Sequence, residues 1–170
     1  MKLSKKLAQD FNTDRNSVIE KVDEETFWVS NTYTAVKLHL YDFVEFREKW
    51  NNYKSTKDIP KEFKVIKISN GELTKHEEPV METVISGNLS YKLKITEEVI
   101  AKVGKLGVRK LVSHDIGTVY MGQEYEYIIT EFEGCDLYTA KQLKPIHILL
   151  DGHLKAMIMP VVNPENNAWL

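Results

Sequence analysis

Two apolar runs joined by a single Asp-Gly pair and closed by a proline, Pro145-Ile-His-Ile-Leu-Leu-Asp-Gly-His-Leu-Lys-Ala-Met-Ile-Met-Pro160, constrain this chain more than any other stretch. Asp151-Gly152 can supply the positive φ angles of a tight two-residue turn, so the segment reads as an antiparallel hairpin. At 170 residues with 42% hydrophobic content, the chain can bury a core of its own. That length favours one domain, or two small halves packed together, over separate modules.

The charge balance excludes a bulk cationic field: 23 Lys and Arg stand against 25 Asp and Glu, a net charge of -2. Any contact with DNA must then come from local patches. Cys135 is the single cysteine, which rules out an intrachain disulfide and a multi-cysteine zinc site, and suits a reducing cytoplasm. The first ten residues are basic but lack a signal-peptide core, and no apolar run approaches the roughly 18 residues of a membrane span. Secretion and membrane insertion are not expected, and a cytoplasmic protein is.

Hydrophobic periodicity divides the chain. Leu3, Leu7 and Phe11 recur every four residues and predict an amphipathic helix over 2–11. Strands are predicted at 17–22, 26–30 and 34–40, followed by a second helix over 41–54 carrying Phe43, Phe46 and Trp50 on one stripe. Residues 53–60 read as a polar connector. Strands at 63–69 and 79–85 flank a turn at Asn70-Gly71, and Ser86-Gly87-Asn88 is the best internal boundary. Beyond it, 91–95 is a strand, and Thr96 before Glu97 and Glu98 reads as the N-cap of a helix ending near 106. Further strands are predicted at 108–112, 118–121 and 125–132, a loop over 133–142, and a polar tail over 163–170 with an apolar end. No stretch shows the regular strand-helix alternation of a doubly wound parallel sheet. The expected class is α+β, mostly antiparallel, with two or three short amphipathic helices.

Signals for catalysis are poor. His39, His76, His114, His147 and His153 form no HExxH pair and no zinc spacing. His114-Asp115 could pair a base with an orienting carboxylate, and Cys135 could be a nucleophile, but neither sits in a catalytic signature. His39 and His147 fall within alternating strands, where the polar face is expected. Val103-Gly-Lys-Leu-Gly-Val108 is too short and wrongly placed for a P-loop. No enzyme activity, metal or cofactor is expected.

The closing pattern of apolar run, Asp-Gly turn and Met159-Pro160 resembles the C-terminal hairpin of bacterial DNA polymerase sliding clamps. Residues 17–38 are similar to the first meander of a clamp domain, and Tyr91 to Leu106 resembles the opening of its second half. The resemblance implies two pseudo-repeated halves, about 1–88 and 89–162, within one clamp-like domain over 1–162, followed by the tail. Bacterial clamps chain three such domains, so a chain of this length would be a single-domain relative, of the kind a phage or mobile element could encode.

The resemblance also implies helices that line a hole and offer cations to duplex DNA. Loose contact with phosphates and no base readout lets such a protein hold DNA and still slide. The matching candidates are Lys2, Lys5 and Lys6 on the first helix, Lys102 and Lys105 on the helix after Thr96, and Arg109 and Lys110 just beyond it. Ordinary solvated faces of amphipathic helices account for the same lysines. Trp169 and Leu170 could engage a partner's groove or fold back on their own domain. The expected function is therefore a self-associating processivity protein that holds DNA nonspecifically and tethers a polymerase or other replication partner. The alternative is a small phage-type protein that engages and modulates a host protein without binding DNA.

Overall fold

The computed structural model describes residues 2–12, 16–52, 58–85, 89–102 and 105–162, with backbone alone at residues 12, 82–83, 101–102 and 105–106. The chain divides into two compact units, Met1–Ser86 and Gly87–Leu170.

In the first unit the elements run α1 (Leu3–Asn12), β1 (Asn16–Lys21), β2 (Thr26–Asn31), β3 (Thr34–His39), α2 (Leu40–Asn51), β4 (Val65–Ser69), β5 (Glu72–His76) and the five-residue α3 (Met81–Ile85). The three-strand meander is set by its turns. The Asp23 carboxylate accepts the Glu25 N–H at 2.8 Å, which holds its pKa below the usual carboxylate value. The Asn31 side chain accepts the Tyr33 and Thr34 N–H groups at 2.8 and 2.7 Å. Both are Asx-type closures that compete successfully with an extended backbone. After α2 the chain returns so that β4 pairs antiparallel with β1, and β5 adds outside β4 through a turn with positive φ at Asn70 and Gly71. The strand order is β5-β4-β1-β2-β3.

Registered partners Ile66, Ile19, Val29 and Val36 share the sheet face that α1 and α2 cover, and all four are at most 1% exposed. The helices supply Leu7, Phe11, Phe43, Phe46 and Trp50, the residues whose spacing predicted them. Phe27 of β2 stacks on Phe43 of α2 with centroids 3.9 Å apart and planes 6° from parallel. Ser4 donates from α1 to the Glu45 carboxylate of α2 at 2.7 Å, tying the helix pair together at its margin.

The second unit runs β6 (Tyr91–Lys102), β7 (Lys105–Ser113), β8 (Gly117–Gly122), a 3-10 turn (Gln123–Tyr125) continuing into α4 (Glu126–Glu131), β9 (Asp136–Thr139), β10 (Ile146–Leu150) and β11 (His153–Ile158). Its order is β11-β10-β9-β6-β7-β8, antiparallel throughout. The Asp151-Gly152 hairpin forms as its sequence predicts, with φ of 52° and 77°. The sheet curls: three residues past Ile158, the Val161 N–H donates to the Tyr120 carbonyl of β8 at 2.9 Å. Three residues span only about 10 Å, so the end of β11 comes close to the opposite edge strand.

The two units share one connectivity. In each, a three-strand antiparallel meander is followed by a helix, and the next strand pairs with the first strand of the meander, with a further strand outside it. Thus β1-β2-β3-α2-β4-β5 corresponds to β6-β7-β8-α4-β9-β10, with α1 and α3 additional in the first unit and β11 in the second. The class is α+β and mostly antiparallel.

Several sequence-based expectations are corrected. The helix predicted from Thr96 to about 106 is strand: β6 runs to Lys102 and β7 starts at Lys105. Ile95, Thr96, Val99 and Ile100 are β-branched and favour extended backbone once a partner strand is available. The Thr96-Glu97-Glu98 signal marks an irregularity instead. Ile95 pairs with Leu111 and Val99 with Arg109, so three residues of β6 lie opposite Lys110 alone. Thr96 accepts the Glu98 N–H as a cap would, yet also donates to the Lys110 carbonyl at 2.7 Å.

Residues 125–132, predicted as strand, form the end of the 3-10 turn and α4, because the return from β8 to a place beside β6 needs a crossover. The segment predicted as strand over 79–85 contains α3, whose first N–H groups, of Val80 and Met81, are accepted by the buried Glu20 carboxylate at 2.8 and 2.9 Å. The loop predicted over 133–142 contains β9, where Leu137 and Thr139 alternate into the core. β5, largely exposed and polar, had no apolar signal to announce it.

Candidate nucleic-acid interface

The expected cationic set separates into three groups. Lys2, Lys5 and Lys6 belong to α1 and its flank, on the side away from Leu3, Leu7 and Phe11. Lys2 is 80% exposed and lies 4.0 Å from Glu45, while Lys6 pairs with Asp10 at 2.9 Å one helical turn on. Lys5 is exposed. The Lys6 and Asp10 side chains are 35% and 32% exposed, a partly screened pair of modest strength.

Lys102 and Lys105 face each other in the β6–β7 ladder rather than lying along a helix. Their side chains, like residues 103 and 104 between them, lie outside the described residues, so the two lysines are placed only as flanking the tip of that hairpin.

Arg109 and Lys110 are committed elsewhere. Arg109 forms a two-pronged pair with Glu126 of α4, Nε to Oε1 at 2.6 Å and Nη2 to Oε2 at 3.2 Å, and its Nη1 donates to the Thr96 carbonyl at 3.2 Å. Its side chain is 18% exposed, and the Glu126 hydrogen bond raises its pKa further. The planar guanidinium matches a carboxylate fork, which makes this a positioning contact between β7 and α4. Lys110 reaches Glu98 at 3.0 Å across the β6 irregularity. Lys92, on β6, is likewise paired, 2.9 Å from Asp136, which raises its pKa.

Helix charge departs from what the resemblance implies. On α2, Asp42, Glu45 and Glu48 outnumber Arg47 and Lys49, and from Gln123 to Glu131 the chain has Glu124, Glu126 and Glu131 with no Lys or Arg. A cleft of the first unit, about 600 Å³, is lined by Glu20, Asp23, Glu24, Glu62 and Glu77 together with Lys21, Lys64 and Lys75. Lys21–Glu24 and Lys64–Glu77 pairs neutralise much of it, at 2.9 and 3.1 Å. It has no cationic excess to attract a phosphate.

The residues considered for catalysis are not organised for it. His114 and Asp115 occupy the β7–β8 turn, 3.5 Å apart, with side chains 99% and 66% exposed. Cys135 precedes β9, and burial pushes its thiol above the ordinary value, the reverse of an activated thiolate. Among the described residues no three His, Cys, Asp or Glu side chains cluster to hold a metal. His147 corrects another expectation: it is 5% exposed rather than on a solvated face, with Nδ1 3.1 Å from the Pro145 carbonyl and Nε2 without a partner. Burial lowers its pKa. His39 stays exposed, stacked beside Tyr41.

Two features were missed in the sequence. Glu126, which takes Arg109 out of the cationic set, was hidden inside a run read as strand. A groove of about 390 Å³ beside β8, lined by Thr118, Tyr120, Leu143 and Val162 among others, arises because Val161 returns to the β8 edge. Trp169 and Leu170 lie outside the described residues. Among those residues no helix is long and apolar enough to cross a membrane.

No known protein family's sequence profile matches the chain, and no curated protein matches it. Among solved structures it is similar to a protein of Eubacterium rectale ATCC 33656, crystallised under the provisional description of a DNA polymerase III beta subunit, with a TM-score of 0.39 and 11% identity over 94% of this chain. The chain spans 64% of that protein, less than two thirds of its length.

Proposed function

We propose that this chain is a clamp-like, non-enzymatic accessory protein of DNA replication, which self-associates, holds duplex DNA without reading its sequence and tethers a polymerase or other replication partner. The observation that carries this reading is the twofold use of one connectivity, meander, helix and returning strand, in the units 1–86 and 87–170. The sequence resemblance to sliding clamps implies a plan repeated twice in this way. Phosphate contact would fall to Lys2, Lys5 and Lys6 on α1 and to Lys102 and Lys105 beside the β6–β7 tip, while Arg109 and Lys110 serve the fold.

The test is retention on circular against linear duplex DNA across a salt series, with light scattering to establish mass. The reading expects a defined oligomer that stays on circular DNA, leaves linear DNA from its ends and loses DNA as salt rises. A chain that remains monomeric at all concentrations, with no DNA bound at low salt, overturns it.

A second reading is favoured by the acidic balance of α2 and of Gln123–Glu131: a small binding protein that modulates a host protein and leaves DNA alone. A stable stoichiometric partner captured from bacterial lysate, together with absent DNA affinity, decides for it.

A further inference from the structure

The outer part of the β6–β7 hairpin has no third strand beside it among the described residues. β9 registers with β6 only at Tyr91–Leu93, and β8 reaches along β7 only to the Val108–Gly122 pair, while the hairpin's own ladder continues to Lys102 opposite Lys105. A two-stranded ribbon alone is marginally stable in water. Two side chains that follow β8 grip it instead. Where β8 ends at Gly122, the next residue, Gln123, accepts the Gly107 N–H through Oε1 at 3.0 Å, one residue beyond the last registered pair. Glu126, three residues on and so on the same side of the helical turn, holds Arg109 through two hydrogen bonds, and Arg109 also donates to the Thr96 carbonyl of β6. The grip therefore engages both strands. Gly107 permits it, because a Cβ there would lie 2.8 Å from Gln123 Oε1 and 2.5 Å from Val99 Cγ1. From Val99 to Val108 the sequence has Lys102 and Lys105 and no acid.

We infer that Gln123 and Glu126 are positioning residues, which fix the outer part of this hairpin, and with it the backbone at Lys102 and Lys105, for contact with the phosphates of duplex DNA. The inference rests on the DNA-holding function proposed above and adds how one of its contact regions is held in place. Gln123 and Glu126 make no phosphate contact themselves. A hairpin ordered before binding loses less conformational freedom on binding, and one that is in its binding position only part of the time binds more weakly by that fraction.

The test uses the full chain and compares the parent with Gln123→Met, which removes the acceptor, Gln123→Glu, which keeps it, and Glu126→Gln, with circular dichroism confirming that each folds. Amide hydrogen exchange is followed at Gly107, and affinity for circular duplex DNA across a salt series. Gly107 exchange should rise about 2- to 10-fold in Gln123→Met, the worth of one hydrogen bond, and return to the parent rate in Gln123→Glu. Gln123→Met and Glu126→Gln should each weaken DNA binding by a similar factor with the salt slope unchanged, whereas Lys102→Ala and Lys105→Ala should each lower the slope by about one. Gly107 exchange unchanged in Gln123→Met overturns the grip. DNA affinity unchanged in both Gln123→Met and Glu126→Gln overturns the positioning role, as does a salt slope unmoved by both lysine variants. In each of these outcomes a parent that binds DNA leaves the replication reading standing; a parent that binds none overturns that reading and the positioning role together.

Discussion

Replacing Arg109 by Met tests whether this cation belongs to a DNA surface or to the fold. The guanidinium makes two hydrogen bonds to Glu126 and one to the Thr96 carbonyl, with side-chain exposures of 18% and 29% for the ion pair. Hydrogen bonds to charged groups contribute roughly 1.5–3 kcal/mol when well sheltered, and exposed ion pairs about 0–1 kcal/mol. For a partly screened two-pronged pair we expect a loss of about 1–2 kcal/mol, a Tm decrease of about 2–8 °C for a chain of this size. Met keeps much of the aliphatic stem, so the loss reports the charged head more than its packing. Urea unfolding of the parent, Arg109→Met, Glu126→Gln and the double variant forms a cycle, with an expected coupling of about 1 kcal/mol. The DNA salt slope should be unchanged, whereas removing a phosphate-contacting lysine lowers it by about one. A coupling below about 0.3 kcal/mol, or a stable variant with a reduced salt slope, refutes the assignment of Arg109 to the fold.

Phe43→Ala should cost about 3–5 kcal/mol in denaturant unfolding, because the ring is 2% exposed and stacked on Phe27; a cycle with Phe27→Leu should return about 0.5–1.5 kcal/mol for the ring pair. His147 has its pKa lowered by burial, so the unfolded chain takes up its proton first as pH falls. Its contribution is present above the ordinary histidine range and is lost on acidification through about pH 6.5 and below; His147→Gln should flatten that part of the stability-pH curve, measured by urea midpoints. Gly152→Ala should cost about 1–2 kcal/mol, since φ is +77° and a Cβ there meets nothing within 4 Å, leaving a backbone penalty alone. Gly107→Ala should destabilise by packing, because its Cβ would sit 2.5 Å from Val99 Cγ1 and 3.0 Å from the Ile100 carbonyl, and a thermal melt should show the lowered Tm.

Local chemistry was sufficient wherever a signal contained its own cause. Leu3, Leu7 and Phe11, then Phe43, Phe46 and Trp50, specify helical faces by spacing alone, and Asp151-Gly152 specifies a hairpin by the backbone angles it tolerates. The antiparallel α+β class follows from those signals. Tertiary structure decided the segments with two defensible readings. Thr96-Glu97-Glu98 opens a helix in isolation, but a partner strand carrying Leu111 and Arg109 turns the same residues into an irregularity of β6. Gln123–Glu131 has β-branched residues yet is helical, because the chain must cross from β8 to reach its place beside β6. The start of α3 is held by Glu20, sixty residues earlier, and Arg109 is withdrawn from any cationic patch by Glu126 on another element. Periodicity reports which side of an element is apolar; the carboxylate or strand that approaches it from elsewhere, as Glu126 approaches Arg109, is set by contacts distant in sequence that no local pattern carries.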